Sequence, residues 1–123
     1  MNECPAGAAG REKKGMITIM SKEVKVTPMD TVNNARTMPW KVAIEPFRVA
    51  PRVWYVGNTW VGSFLIQTSE GLALIDTTVM EDLYLLIDSI HRLGFDSKDL
   101  KHIFLTHAHM DHDGAARALK ELT

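Results

Sequence analysis

The 123-residue sequence has little that would connect it to a membrane, to nucleic acid or to an oxidising compartment. Cys4 is the only cysteine, so an internal disulfide and a paired-cysteine zinc or redox site are excluded, and we expect an exposed thiol on a loose tail. The formal net charge is −1, which leaves no basic field for nucleic acid. No apolar run approaches the roughly 18 residues of a membrane span, and no signal-peptide core precedes Met20. The sequence therefore predicts a cytoplasmic chain without a membrane or nucleic-acid partner.

The composition is that of an ordinary globular protein, with 46% hydrophobic and 24% charged residues. Residues 1–45 have weak periodicity and are rich in Met, Lys, Thr, Asn and Pro. This predicts a flexible or loosely packed N-terminal extension. Clear patterning begins at residue 46 and continues to Thr123, so the sequence predicts a folded unit over residues 46–123.

Strand and helix patterns follow one another along this unit. Short apolar and β-branched runs predict four strands, over residues 52–56, 63–68, 72–76 and 101–106. Leucines and isoleucines at helical spacing predict a helix over residues 81–93, ended by Gly94. A last helix is expected from Gly114 to Leu122, with Asp113 as its N-cap. A hairpin followed by a helix-linked strand predicts an α+β fold with a mixed sheet and helices on one face.

Four potential metal ligands lie within six residues, directly after the last predicted strand: His107, His109, Asp111 and His112. Imidazole nitrogen and carboxylate oxygen are suitable zinc ligands. Four ligands are more than a single open catalytic site takes from one segment, so their density predicts two neighbouring zinc ions. Two metals lower the pKa of a bridging water, which gives a nucleophilic hydroxide, and they polarise a substrate oxygen. Asp111 is the candidate catalytic residue, because it could both bind metal and orient that hydroxide.

The other two histidines are not expected to reach these metals. His91 lies on a predicted helix beside Arg92. His102 stands at the start of the last strand, about 16 Å from His107 if that strand rises ~3.3 Å per residue. We expect both to be structural or solvent-facing.

The segment from Leu105 to His112 resembles the HxHxDH motif of the metallo-β-lactamase superfamily, and Leu74-Ile75-Asp76-Thr77 resembles the strand end that precedes it. Segments 46–50, 53–57 and 63–68 are similar to the opening of the metallo-β-lactamase subclass with the all-histidine set. The resemblance covers residues 46–123 and implies the N-terminal half of an αββα sandwich, incomplete at the C-terminus. It departs from the family at Thr77 and Ala115, where glycine is frequent. No histidine follows His112 to provide the third ligand that each metal receives from downstream in the family.

The resemblance also implies roles for individual residues. His107 and His109 would serve one zinc, and Asp111 and His112 the second. Asp76 would be a structural carboxylate that steadies the ligand loop by hydrogen bonds.

The loop from Asn58 to Gly62 would lie near the mouth of such a site. For Trp60, which this loop carries, ordinary packing and contact with the substrate are equally open.

The implied function is that of a zinc-dependent hydrolase, in which a metal-bound hydroxide attacks the carbonyl of a β-lactam or similar acyl group in a small molecule. A thioester, lactone or phosphodiester substrate is an alternative, since relatives with the same motif use them. Another alternative is that the chain is a truncated, non-catalytic protein that binds a metal or a partner. The missing half predicts that the 123-residue chain alone binds zinc poorly and is inactive. An uncovered sheet face also predicts self-association.

Overall fold

The computed structural model describes residues 26–123. Residues 1–25, which include Cys4 and the region before Met20, lie outside the described residues, so the expectations for a loose tail there stay predictions. No helix in the described part of the chain has the length and apolar character needed to cross a bilayer.

A five-stranded mixed sheet forms the centre of the fold. Its strand order follows the chain: β1 (Phe47–Ala50), β2 (Val53–Tyr55), β3 (Phe64–Thr68), β4 (Gly71–Ile75) and β5 (Leu100–Phe104). Strands β1 to β4 pair antiparallel and β5 pairs parallel with β4. The mixed sheet confirms the sequence prediction, but β1 was missed. Pro46 and Pro51 flank this strand. Because of these prolines, the sequence predicted an extended segment that leads into the sheet rather than a strand of the sheet.

The turn between β3 and β4 is as short as the sequence suggested. Thr68 pairs with Gly71, which leaves Ser69 and Glu70 as the loop. Gly71 has a φ of 133°, and a Cβ there would lie 2.7 Å from the carbonyl oxygen of Asp99. Both the backbone angle and the close approach of a second chain segment require glycine.

Residues 26–45 contain regular structure, where the sequence led us to expect a flexible or loosely packed extension. Helix α1 (Pro28–Thr37) begins at a capping box in which Thr27 and Asp30 exchange hydrogen bonds. A 3₁₀ turn, Pro39–Lys41, follows, and Ala35 is fully buried. Reciprocal capping at its first turn supports this helix without an apolar stripe, and so the periodicity did not reveal it. The division into residues 1–45 and 46–123 stays a prediction.

Helix α2 (Leu83–Arg92) follows a 3₁₀ turn, Met80–Asp82, against which α1 packs. Leu83, Leu86 and Ile90 of the predicted stripe are buried, and Gly94 has the positive φ expected after a helix end.

The predicted last helix is instead two short ones, α3 (Met110–Asp113) and α4 (Ala116–Leu122). Asp113 ends α3, so its predicted role as an N-cap was wrong. Ala115 is the N-cap of α4, with no side-chain cap. The N–H of Ala115 instead donates to the carbonyl of Thr78, which fastens this segment to the β4–α2 connection and interrupts the helix.

The hydrophobic core lies on one face of the sheet. It joins residues of the sheet and its adjoining loops to residues of α2, α4 and the α4 N-cap: Val56, Leu65, Leu72, Leu74, Leu83, Leu86, Ile90, Leu100, Ala115 and Leu119. The opposite face carries a row of cross-strand partners, Phe47, Tyr55, Phe64, Ile75 and Phe104. We call this row the open face; Phe47 is 49% and Phe104 58% exposed. Within residues 26–123, helices therefore cover one face of the sheet only, as the sequence predicted.

Candidate metal centre

Three chain segments meet at the edge of the sheet where β3 begins and where β4 and β5 end. Phe64, Ile75 and Phe104 are in register there. The β2–β3 loop enters β3 at this edge. Asp76 follows β4 beside it, and the ligand loop, which we define as residues 106–112, follows β5. The hydroxyl of Ser63 donates to the carbonyl of Asp76 at 2.7 Å. Strand register thus brings the predicted site residues of distant segments together.

The carboxylate of Asp76 is the anchor of the ligand loop. It is 4% exposed and has a φ of 60°. Its Oδ1 accepts the backbone N–H of Thr106 at 2.8 Å, and its Oδ2 accepts the Thr106 hydroxyl at 2.8 Å. The Oδ2 atom also lies 2.8 Å from Nδ1 of His112. One buried side chain therefore holds both the start and the end of the loop from Thr106 to His112.

Asp76 is ionised at neutral pH, and this decides the direction of its hydrogen bonds. Burial by itself raises the pKa of Asp76, but the hydrogen bonds from Thr106 and His112 together outweigh it, and the pKa lies below its ordinary value. An ionised carboxylate only accepts hydrogen bonds, so Thr106 and His112 must both donate to it.

The tautomers of two ligand histidines follow from this network. Since Thr106 spends its single hydroxyl proton on Asp76, its oxygen must accept from Nδ1 of His107, which lies 2.9 Å away. His112 likewise donates from Nδ1. In its neutral form each ring therefore carries its single proton on Nδ1 and presents a lone pair on Nε2, which is the form a metal-binding imidazole requires.

His107, Asp111 and His112 form a group that fits a metal ion. Each offers one ligand atom, and these atoms lie within 4.8 Å of one another. Nε2 of His112 and Oδ2 of Asp111 are 3.5 Å apart, close to the roughly 3.3 Å between neighbouring ligand atoms of a tetrahedral zinc. Two imidazoles and a carboxylate, held by a buried partner, are a suitable donor set for zinc.

His109 lies beside this group rather than in it. Its side chain is exposed, and its ring centroid is 4.7 Å from that of His107. Its carbonyl accepts the backbone N–H of His112 and of Asp113, which starts α3. The geometry thus groups His107 with Asp111 and His112, whereas the resemblance paired His107 with His109. The assignment of ligands to two metals stays a prediction.

Two threonines support the loop without having been singled out by the sequence. Thr77, noted only as a departure from glycine, donates from its N–H and its hydroxyl to the carbonyl of His112, at 2.8 and 3.0 Å. Thr106 accepts a hydrogen bond from His107 and donates one to Asp76, and so links the ligand to the buried carboxylate. The place of Thr106 directly before the first ligand was a usable signal, but the role of Thr77 depends on a contact across 35 residues.

The two histidines outside the motif do not contribute to this group. His91 is exposed, and its Nε2 lies 3.1 Å from the hydroxyl of Ser97. His102 is exposed on β5, next to Phe104 on the open face. Both positions agree with the structural or solvent-facing roles we expected.

The loop that carries Trp60 lies at the same sheet edge. Trp60 is partly buried, and its backbone N–H donates to Oδ1 of Asn58 at 2.9 Å. A contact between Trp60 and a substrate stays a prediction.

Comparison with known proteins gives one family. The sequence profile of the metallo-beta-lactamase superfamily matches residues 61–123. Among solved structures, the metallo-beta-lactamase GOB-18 from Elizabethkingia meningoseptica is 42% identical, with a TM-score of 0.66 over 70% of this chain and 32% of that one. A beta-lactamase from Chitinophaga pinensis is 35% identical, with a TM-score of 0.66 over 84% of this chain and 35% of that one.

The class B3 di-zinc metallo-beta-lactamase LRA-12, from an Alaskan soil metagenome, is 31% identical, with a TM-score of 0.66 over 71% of this chain and 33% of that one. The chain thus spans about a third of the length of the solved structures it matches. The matched profile takes in the whole ligand loop, and the matched structures share the sheet from which that loop emerges. On both grounds the chain belongs to the metallo-beta-lactamase superfamily.

Proposed function

We propose that this chain provides part of the active site of a zinc-dependent hydrolase that opens the amide bond of β-lactams. The observation that carries the proposal is the convergence of His107, Asp111 and His112 on a loop fixed by the buried carboxylate of Asp76. The names of the matched structures support a β-lactam as substrate, and the di-zinc relative supports zinc as the metal.

His107, Asp111 and His112 would hold zinc, with His109 as the fourth ligand of the loop. Zinc, when bound, supplies a Lewis acid for the substrate carbonyl and lowers the pKa of a coordinated water. Asp76 keeps His107 and His112 in the tautomer that presents Nε2, directly for His112 and through Thr106 for His107. Asp111 is partly buried beside them, so its carboxylate is placed to bind metal and to orient the attacking water.

The 123-residue chain alone is expected to bind zinc weakly and to be inactive. All four candidate ligands come from one loop, and no histidine follows His112 in the sequence. A catalytic zinc usually takes three protein ligands and leaves one position for water. Two zinc ions would therefore need ligands that this segment does not hold.

The experiment that tests the function places this segment in a complete enzyme. Residues 46–123 replace the matched portion of the GOB-18 enzyme, and hydrolysis of nitrocefin is measured with zinc. We expect the chimaera to hydrolyse nitrocefin, and His107→Ala to abolish that activity.

His91→Ala is the matched control, because His91 is also exposed but lies on α2, outside the metal group and away from the open face. It should leave the activity of the chimaera unchanged. A chimaera that folds and binds zinc yet hydrolyses no β-lactam would contradict the proposed substrate, and thioesters, lactones and phosphodiesters would then be tested in the same protein.

A further inference from the structure

A second buried carboxyl group, Asp82, lies outside the metal centre. It is 1% exposed, at the end of the 3₁₀ turn before α2. Its Oδ2 accepts Nδ2 of Asn58 at 2.7 Å, across 24 residues of sequence. Its Oδ1 has no hydrogen-bond partner among residues 26–123. Burying a carboxyl group with only one hydrogen bond is costly, and the bond to Asn58 is the one that offsets part of this cost.

Asp82 does not cap its own helix. It occupies the N-cap position of α2, where an aspartate usually accepts a backbone N–H and contributes about 1 kcal/mol. No such bond is present here. The carboxyl group is directed instead towards the β2–β3 loop, and its interaction with Asn58 takes the place of helix capping.

Asn58 passes this interaction on to the loop. It is 3% exposed, and its Oδ1 accepts the backbone N–H groups of Trp60 and Val61 at 2.9 and 2.8 Å. Its Nδ2 is the group that donates to Asp82. A flip of the amide would lose all three bonds, so Asp82 stabilises the same orientation that the N–H groups of Trp60 and Val61 require.

Asp82 and Asp76 belong to the same connection, between β4 and α2. Asp76 holds the ligand loop. Ser63, which directly follows the loop Asn58–Gly62 (the Trp60 loop), donates to the carbonyl of Asp76. The connection is therefore fixed to the ligand loop at one end and to the Trp60 loop at the other.

We propose that Asp82 is a positioning residue, which acts through Asn58 to fix the loop Asn58–Gly62, and Trp60 with it, at the sheet edge that carries the ligand loop. Its effect on the loop is independent of any activity, whereas its effect on substrate binding rests on the proposed function. Both protonation states of Asp82 can accept from Asn58. Burial, with a smaller contribution from the neighbouring Glu81, raises the pKa of Asp82 to about 7, so both states occur near neutral pH.

The test measures amide hydrogen exchange in the 123-residue chain. Asp82→Ala removes the acceptor for Asn58, and we expect the amides of Trp60 and Val61 to exchange at least tenfold faster relative to that of Leu74. Asp82→Asn keeps an acceptor oxygen and should leave these amides close to wild type. Leu86→Ala is the control for lost stability, because it opens the core without touching the loop, and it should change loop and core amides together.

A double variant guards against simple misfolding. Asn58→Asp alone places two carboxyl groups against each other and should loosen the loop. Combined with Asp82→Asn, it restores a donor and an acceptor in exchanged positions, and protection of Trp60 and Val61 should return. Undisturbed amides in Asp82→Ala, or failure of the double variant to restore protection, would overturn the proposal.

In the GOB-18 chimaera, Asp82→Ala should raise KM for nitrocefin at least threefold while zinc affinity is unchanged. An unchanged KM would overturn the link between the loop and substrate binding. An inactive parent chimaera would instead count against the proposed function alone, because the exchange measurement needs neither zinc nor substrate.

Discussion

Asp76 is the residue on which the candidate site depends most. Its two oxygens receive three hydrogen bonds from two residues 30 and 36 positions later in the sequence. Such partners of metal-binding histidines fix both the tautomer and the ring orientation. The ligands themselves should therefore lose their preorganisation when Asp76 changes, even though Asp76 need not contact the metal.

Asp76→Asn should lower the zinc affinity of the chain by about 10- to 100-fold, because an amide has one acceptor oxygen and cannot accept all three hydrogen bonds that Thr106 and His112 donate to the carboxylate. Competition with a zinc-chelating dye measures this. Asp113→Asn is the matched control, since it removes one negative charge at the end of α3, directly after the ligand loop, without any of these hydrogen bonds. Equal losses in the two variants would show that charge alone, rather than orientation, explains the effect.

Asp82 should make the stability of the chain depend on pH. Its pKa is raised from 3.8 to about 7 in the folded state, so the folded chain keeps a proton that the unfolded chain loses. The contribution is complete below about pH 4, falls as pH rises, and is lost above about pH 7, by up to about 4 kcal/mol. Urea unfolding of wild type and Asp82→Asn at several pH values measures it, and identical pH dependence in the two proteins would contradict it.

Among individual residues, the sequence predicted the four candidate ligands and the supporting role of Asp76, but not the other residues that hold the two loops. Four ligand-type side chains in six residues are visible by spacing alone. The bond between Asn58 and Asp82 is not, since it depends on how the β2–β3 loop folds back on the start of α2.

At the scale of elements, local pattern predicted most of the sheet and the one amphipathic helix. The prediction failed where a helix cap or a tertiary hydrogen bond determines where a helix forms or breaks. α1 depends on the reciprocal bonds of Thr27 and Asp30. The break between α3 and α4 depends on the N–H of Ala115, which donates to the carbonyl of Thr78. Neither contact leaves a periodic trace in the sequence.

The β2–β3 loop contains two glycines, Gly57 and Gly62, whose surroundings differ in how closely they are packed. A Cβ at Gly57 would overlap the carbonyl of Val61 and lie 2.7 Å from the N–H nitrogen of Ser63. A Cβ at Gly62 would meet only side-chain atoms of Phe64 and Tyr55, at 3.5 Å or more. Gly57→Ala should therefore destabilise the chain by about 2 kcal/mol or more, and Gly62→Ala by less than about 0.5 kcal/mol. Urea denaturation measures both, and equal losses would contradict this account of the loop.

In the part of the molecule that the structure describes, the sheet is covered by helices on one face and uncovered on the other. The open face presents stacked and edge-on aromatic pairs, Phe47 with Tyr55 and Tyr55 with Phe64, with centroids 5.1 and 5.4 Å apart. An exposed apolar sheet face of this kind favours association. The sequence predicted helices on one face from a hairpin followed by a helix-linked strand, and the uncovered face from a resemblance that covers half of a two-sheet fold.

Self-association should accordingly depend on the open face. Sedimentation velocity of the chain should show a concentration-dependent increase in mass, and Phe47→Lys with Phe104→Lys should reduce it. Met29→Lys with Tyr84→Lys is the control, because these residues are equally exposed but lie on α1 and α2. A wild-type chain that remains monomeric at all concentrations would contradict the prediction.

We propose that zinc binds through Nε2 of His107 and His112, whose tautomers Asp76 fixes, directly for His112 and through Thr106 for His107. Nitrogen-15 NMR of the five histidine side chains during zinc addition tests this directly. We expect Nδ1–H tautomers for both rings before zinc is added and a shift of their Nε2 signals on binding, with the signals of His91 and His102 unchanged. Coordination through Nδ1, or a zinc response at His91 or His102 instead, would contradict it.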